Sequence, residues 1–151
     1  MPETEGTEEC CDLDTGRGIE HRKAWLALGG FIAGADGLSA EEAEELGHSA
    51  AGSDLSKTEA TAILLAGAAA TGVPAASLAA VAESGILLKL ECLLELAHNV
   101  AVDGMSASEW SRFCDVAAAL VGAGKVDALL RLVLADREAR RARRELVLGQ
   151  P

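Results

Sequence analysis

Residues 35–42 read ADGLSAEE, and residues 102–109, 67 positions later, read VDGMSASE. Each segment keeps an Asp-Gly pair, then an apolar residue, a serine, and a glutamate six positions after the aspartate. Asp-Gly favours a turn because glycine adopts positive φ without strain. The serine and the glutamate three positions later match a capping box, which starts a helix. The repeat therefore predicts two related helix–turn–helix units, packed as a pseudo-symmetric bundle.

The rest of the sequence predicts further helices and no strands. Alanine makes up roughly a fifth of the residues and tyrosine is absent, a composition that favours helices over sheets. A third capping-box pattern begins at Ser56 and starts a helix that is apolar on nearly every side, which predicts its burial. The fold class is all-α, with about seven helices in a compact bundle. The predicted helices cover residues 19–35, 39–51, 56–70, a short stretch after Pro74, 86–102, 106–121 and 125–147.

The two ends of the chain carry opposite charges. Residues 1–17 are acidic with little to bury, which predicts a disordered segment before a single domain at 18–147. The last helix has an apolar stripe (Val126, Leu129, Leu130, Val133, Leu134), and its Arg-rich end, 136–147, is expected to project or lie on the surface. The ends can attract each other, within one chain or between copies, although two solvated ends are the simpler interpretation.

Charge and hydropathy limit the partners and the compartment. The net charge of -11 argues against nucleic acid, whose phosphates are neutralised by Lys and Arg. No run of about 18 apolar residues predicts a transmembrane helix. The acidic N-terminus is unlike a secretory signal or a transit peptide, so a cytoplasmic location is expected. The four cysteines contain no C-x-x-C pair, which argues against structural zinc.

The paired turns resemble those of the TerB-like family of bacterial tellurite-resistance and stress proteins. The resemblance covers about 19–147 and rests on an Ala-Asp-Gly turn with a following glutamate, although Val102 replaces the alanine in the second copy. It implies an all-helical fold with an acidic cluster proposed to bind a divalent metal ion. Carried over by position, the metal ligands would be Asp36, Glu42, Asp103 and Glu109. The resemblance does not account for the basic end of the last helix.

The carboxylates of the motif have a second interpretation that needs no ion. Turn formation, helix capping and the helix dipole together explain every residue of the repeat. One turn also supplies too few oxygens for Ca²⁺ or Mg²⁺, so a site would need both turns to meet. The spacing is not that of an EF-hand. His98, with Glu95 and Asp103, is a weaker candidate set for a transition metal, because a single histidine on a helix is more often simply hydrogen-bonded.

Three functions remain open on this reading. The first is a cytoplasmic TerB-like stress or tellurite-resistance module, a sensor or scaffold that binds a divalent ion (Ca, Mg, Mn or Zn). The second is a metal-free interaction domain whose basic tail, Arg137 to Arg144, docks another protein or an acidic membrane surface. An enzyme is the third, but the sequence contains no nucleophile elbow, no His-Glu-x-x-His and no Walker loop.

Overall fold

The computed structural model describes residues 16–50, 55–100 and 105–149, with side chains described for 18–47, 55–98 and 105–149. These residues form an all-α bundle of seven α-helices and contain no strand. Short 3₁₀ turns occupy Gly34–Asp36 and Ala123–Lys125. The helices are α1 (Gly16–Ala33), α2 (Ala40–Ala50), α3 (Lys57–Ala69), α4 (Ala75–Val81), α5 (Ile86–Val100), α6 (Ala107–Val121) and α7 (Val126–Leu148).

The predicted fold class is confirmed, and most helix ends fall within a few residues of their predicted positions. α1 begins at Gly16, three residues before the predicted start, so the expected disordered stretch is two residues too long at this end. The predicted segment at 1–15, the residues around the second Asp-Gly pair and Asp103 itself lie outside the described residues. None of the described helices has the combination of length and apolar composition needed to span a bilayer.

Helix α1 is the centre of the bundle. It packs against α3, α4, α5 and α6, which is why its apolar residues do not form a single narrow stripe. Phe113 of α6 and Leu28 of α1 are fully buried in the main core, and Leu93 of α5 joins them. Burying a side chain of this size contributes about 1.5–3 kcal/mol relative to leaving it exposed. The main core therefore joins the N-terminal and C-terminal halves of the chain.

Glycines bring α1 and α3 unusually close together. A Cβ atom on Gly30 would overlap the carbonyl oxygen of Leu64, and one on Gly67 would overlap the carbonyl oxygen of Ala27. At Gly34 the added atom would lie 2.6 Å from the Cβ of Ala68. Because the two backbones approach at these points, no larger residue fits without moving a helix. The α1–α3 seam, as we call this contact, fixes the position of the first Asp-Gly turn that follows it.

A second, smaller core lies between α1, α2 and α3. It consists of Leu26, Ala43, Leu55, Ala60 and Leu64. The expectation that α3 is buried on nearly every side is wrong, because only Ala60, Leu64 and Gly67 are buried in this helix. Its other side, including Ala62, Ala66 and Ala69, is exposed. Alanine counts as apolar in a pattern, yet its single methyl group costs little to expose, so an alanine-rich face does not require a partner.

Helix α7 packs its predicted apolar stripe against the core at every position except Leu134. Leu129 and Val133 are buried, and Val126 and Leu130 are half-buried against the main core. Leu134, which was predicted to belong to the stripe, is 56% exposed. The last buried side chain of α7 is Val133, although the helix continues to Leu148. The expectation that the Arg-rich end lies on the surface is consistent with the exposure of most of residues 137–149.

Candidate functional site

Both repeat units form the predicted capping box. At the start of α2, the N–H of Ser39 donates to Oε1 of Glu42 at 2.9 Å, and the N–H of Glu42 donates to Oγ of Ser39 at 3.0 Å. At the start of α6, Ser106 and Glu109 make the same pair of bonds at 2.9 and 3.1 Å. Each box satisfies two backbone N–H groups that the helix itself leaves unpaired. One oxygen of each glutamate is therefore already engaged in capping.

The third capping pattern is only half formed. Oγ of Ser56 accepts from the N–H of Glu59 at 3.0 Å, as expected. The Glu59 carboxylate instead lies 3.7 Å from Nζ of Lys23 on α1. A charged partner on a neighbouring helix thus competes with the local backbone for this carboxylate, and sequence spacing alone does not reveal that partner.

The first Asp-Gly turn is a 3₁₀ turn closed by glycine. The N–H of Gly37 donates to the carbonyl oxygen of Gly34 at 3.0 Å, and Gly37 has φ of 91°, a conformation that favours glycine. Asp36 is exposed. The turn packs against α6, and Ala35 lines a cleft of about 570 Å³ together with Ala107 and Ser108 at the start of α6. The first Asp-Gly turn and the start of α6, the helix after the second Asp-Gly pair, therefore lie side by side.

Arg112 holds this contact together. Its Nη1 donates to the carbonyl oxygen of Phe31 at 2.6 Å, and its guanidinium carbon lies 4.5 Å from the centroid of the Phe31 ring. The Phe31 carbonyl belongs to the last turn of α1, where the helix has no internal donor for it and where a cation is favoured. The role of Arg112 is not visible in the sequence, because nothing in the pattern of α6 indicates a partner 81 positions earlier.

The four residues carried over from the family resemblance are only partly placed. Glu42 and Glu109 stand at the starts of α2 and α6, Asp36 lies on the first turn, and Asp103 is outside the described residues. Among the described side chains, no three of the types His, Cys, Asp and Glu come close enough together to hold a metal ion. The complete set, which includes Asp103, stays a prediction.

One member of the second candidate set, Glu95 on α5, has a partner on another helix. Oε2 of Glu95 lies 3.1 Å from Nη2 of Arg140, so this carboxylate pairs with α7. His98 is half-buried one turn further along α5. Cys92 lies on the same helix, and desolvation with the nearby charges of Glu91 and Glu95 raises the pKa of its thiol to about 11. Cys92 therefore stays protonated near neutral pH and is a poor nucleophile or ligand there.

The other candidate surface is the Arg-rich end of α7, taken in the structure as residues 137–149, from the residue after Asp136 to the last described residue. Oδ2 of Asp136 accepts from Nε of Arg140 at 2.8 Å, and this bond, aided by Glu95, raises the pKa of Arg140. Arg141 pairs with Glu138. The remaining arginines, 137, 143 and 144, have no carboxylate partner among the described residues. The exposed fractions at the tip of the helix are 86% for Leu146, 75% for Val147 and 58% for Leu148.

The side of α7 that faces the core extends beyond the core into the Arg-rich end. Residues three or four apart share one side of a helix, which places Arg137, Arg144 and Leu148 in line with the buried Val133. Three large apolar residues in succession are exposed at the tip, whereas single exposed apolar residues need no explanation. The apolar tip is visible in the sequence as LVL at 146–148, shortly after the arginines. Only the structure shows that no other described residue covers these three side chains.

Comparisons with protein-family models, with curated proteins and with solved structures found no match to this chain.

Proposed function

We propose that this protein is a helical docking module that binds an acidic protein segment through the Arg-rich end of α7. The observation that carries the proposal is the exposed tip of α7, where arginines that have no carboxylate partner among the described residues adjoin three exposed apolar side chains. Interfaces combine such apolar anchors with a charged rim, and arginine is among the residues enriched there.

The distribution of charge supports an acidic partner. Residues 137–149 contain five arginines and two glutamates, whereas residues 16–136 contain 16 acids and eight lysines or arginines. The free end of α7 is thus a small basic region on an otherwise acidic domain. An acidic segment is attracted to this region and repelled by the rest of the surface, which guides its approach.

A peptide segment fits this region better than a membrane does. A flat anionic bilayer presents charge over a broad area, so any acids of residues 16–136 that came within about 8–10 Å of it, the distance over which charges interact at physiological salt, would repel it. A single extended segment can follow the arginines and avoid those parts. The apolar tip then supplies a place for one or two apolar side chains of the segment.

Fluorescence anisotropy with a labelled peptide of glutamates and leucines tests this function. We expect the full chain to bind the probe at low salt, and we expect the variant R143E/R144E to bind it at least tenfold more weakly. The matched control is K57E/K125E, which reverses two exposed lysines elsewhere. Equal binding by wild type and R143E/R144E contradicts the proposal. Binding to phosphatidylserine vesicles but not to the peptide also contradicts it.

A second candidate function is the TerB-like one, a stress or tellurite-resistance module that binds a divalent ion between its two turns. The observation that favours it is the shared cleft, in which the first turn meets the start of α6. Asp36, Glu109 and the other two carboxylates of the motif would be the ligands, and a bound ion would offset their mutual repulsion.

Calorimetric titration of chelator-treated protein with Ca²⁺, Mg²⁺, Mn²⁺ and Zn²⁺ tests the second candidate. We expect stoichiometric binding of one of these ions to wild type and its loss in D36N/D103N, with helix content unchanged. Trp110 lies next to Glu109 and packs edge-on against Phe113 at 5.9 Å, so its fluorescence reports the same event. Absence of binding, or binding that survives in the double variant, leaves the motif with a capping role alone.

A further inference from the structure

The N-terminal segment, residues 1–15, is negatively charged, whereas the Arg-rich end of α7 is positively charged. It contains six acids and neither lysine nor arginine. We propose that residues 1–15 of the same chain occupy the Arg-rich end of α7 and so compete with an external acidic partner. This inference rests on the proposed function, because the same arginines serve both contacts.

The positions of the helices allow this contact. Nε2 of His21 lies 2.7 Å from Oγ of Ser84, which places the beginning of α1 beside the residues that precede α5. Nζ of Lys89 donates to the carbonyl oxygen of Leu120 at 3.2 Å, which places the beginning of α5 beside the end of α6. Because α7 follows α6 after a short 3₁₀ turn, α1 and α7 begin at the same end of the bundle.

The segment is also long enough. From Val126 to Arg144 the helix rises about 27 Å, at about 1.5 Å per residue. Fifteen extended residues span up to about 50 Å, at about 3.3–3.6 Å per residue. The segment can therefore reach the arginines along the side of the bundle with length to spare.

Electrostatic attraction favours the Arg-rich end of α7 over the rest of the domain surface as the place where residues 1–15 lie. Residues 16–136 carry a net negative charge, so the N-terminal segment is repelled by most of the domain. Arg137, Arg143 and Arg144 lie together in the Arg-rich end of α7 and have no carboxylate partner among the described residues, whereas Lys125 and Arg131, which also have none, are single charges nearer the start of the helix. Tethering adds to the attraction, because a segment on the same chain acts at an effective concentration up to the millimolar range.

Zero-length crosslinking of the full chain tests the contact. The variant R143K/R144K keeps the charge and supplies amines that a carbodiimide joins to nearby carboxylates. Each crosslink is an amide, formed with the loss of one water from the pair, and mass spectrometry of a digest locates it. Lys23 and Glu59, whose side chains lie 3.7 Å apart, are an internal reference for the yield of a close pair. Lys57 and Lys125 are exposed and, because Lys125 directly precedes α7 at the end of the bundle where α1 begins, they serve as references for collisions near the tether of the segment.

We expect links between residues 1–15 and positions 143 or 144 in the monomer fraction at low salt. Their yield should exceed that of links from residues 1–15 to Lys57 or Lys125 by at least fivefold, and the excess should disappear in 0.5 M salt. Recovery of the Lys23–Glu59 link without any excess at 143 and 144 overturns the inference. An excess found only in a covalent dimer assigns the surface to a second copy and also overturns it.

The anisotropy experiment keeps the inference separate from the proposed function. If R143E/R144E loses the acidic probe but no excess crosslink forms, the docking function stands and the intramolecular contact is wrong. If the contact exists, E5Q/E8Q/E9Q should bind the probe several-fold more tightly than wild type. The control E41Q/E44Q/E45Q removes three exposed acids of α2 and should leave probe binding nearly unchanged. An equal gain in both variants indicates a general charge effect and counts against the inference.

Discussion

The α1–α3 seam and the Arg-rich end of α7 are opposite in almost every physical respect. At the seam, glycines allow two backbones to touch, and no added atom fits. At the end of α7, large apolar and charged side chains extend into solvent beyond the last buried residue, Val133. Stability is concentrated where the chain is most crowded, whereas the capacity to bind is concentrated where it is least covered.

The largest difference in the free energy of unfolding should be found between alanine variants of a fully buried and of an exposed apolar residue. Phe113 is 0% exposed in the main core, and F113A should lower the free energy of unfolding by about 3–5 kcal/mol. Leu146 is 86% exposed, and L146A should change it by less than about 0.5 kcal/mol. Urea unfolding followed by circular dichroism measures both. A comparable loss in L146A would mean that the tip of α7 is part of the folded core.

The seam itself should tolerate no added methyl group. In G67A the new Cβ would overlap the carbonyl oxygen of Ala27, so α1 and α3 must separate, at a cost of about 3 kcal/mol. The matched control is G72A, since a Cβ there has no neighbour within 4 Å. That variant should be neutral or more stable by up to about 1 kcal/mol. Equal midpoints of thermal unfolding for the two variants would show that the helices are not in close contact.

Removing the glutamate of a capping box should lower the free energy of unfolding by an intermediate amount. The loss should be larger for the complete box at Ser106 than for the half-formed box at Ser56. E109A removes the acceptor for the N–H of Ser106 and should cost about 1 kcal/mol. E59A removes no such acceptor and should cost less, because Glu59 faces Lys23 at the surface. Chemical denaturation of both variants gives the comparison. A larger loss in E59A would reverse the assignment of the two patterns.

Removing the ion pairs of α7 should cause the smallest loss in the free energy of unfolding. R140A removes the contacts with Asp136 and Glu95 and should cost about 0.5 kcal/mol, because these pairs lie at the surface and are partly exposed to solvent. The cost should shrink further in 1 M salt. R143A is the control and should leave stability unchanged. A loss above about 2 kcal/mol for R140A would indicate that the end of α7 is held firmly to the domain.

The sequence predicted the helices and three capping boxes, of which two are complete, because these depend on neighbours three or four positions apart. It did not predict the partner of Glu59, the exposed side of α3, or the bond from Arg112 to the Phe31 carbonyl. These features depend on which helices meet, and a local pattern contains no information about that. The four carboxylates of the motif illustrate the same limit. Their capping bonds follow from local spacing, whereas a shared ion would depend on how the two turns approach each other.

Hydrogen–deuterium exchange of the full chain, with and without the glutamate–leucine peptide, tests the docking surface most directly. The account predicts slower exchange of backbone amides within residues 137–149 when the peptide is present, and no change in residues 24–33 of α1. It also predicts that R143E/R144E abolishes the protection, while K57E/K125E preserves it. Protection that appears instead around residues 71–73 and 107–115, which line the cleft beside the first turn, would contradict the assignment of docking to α7.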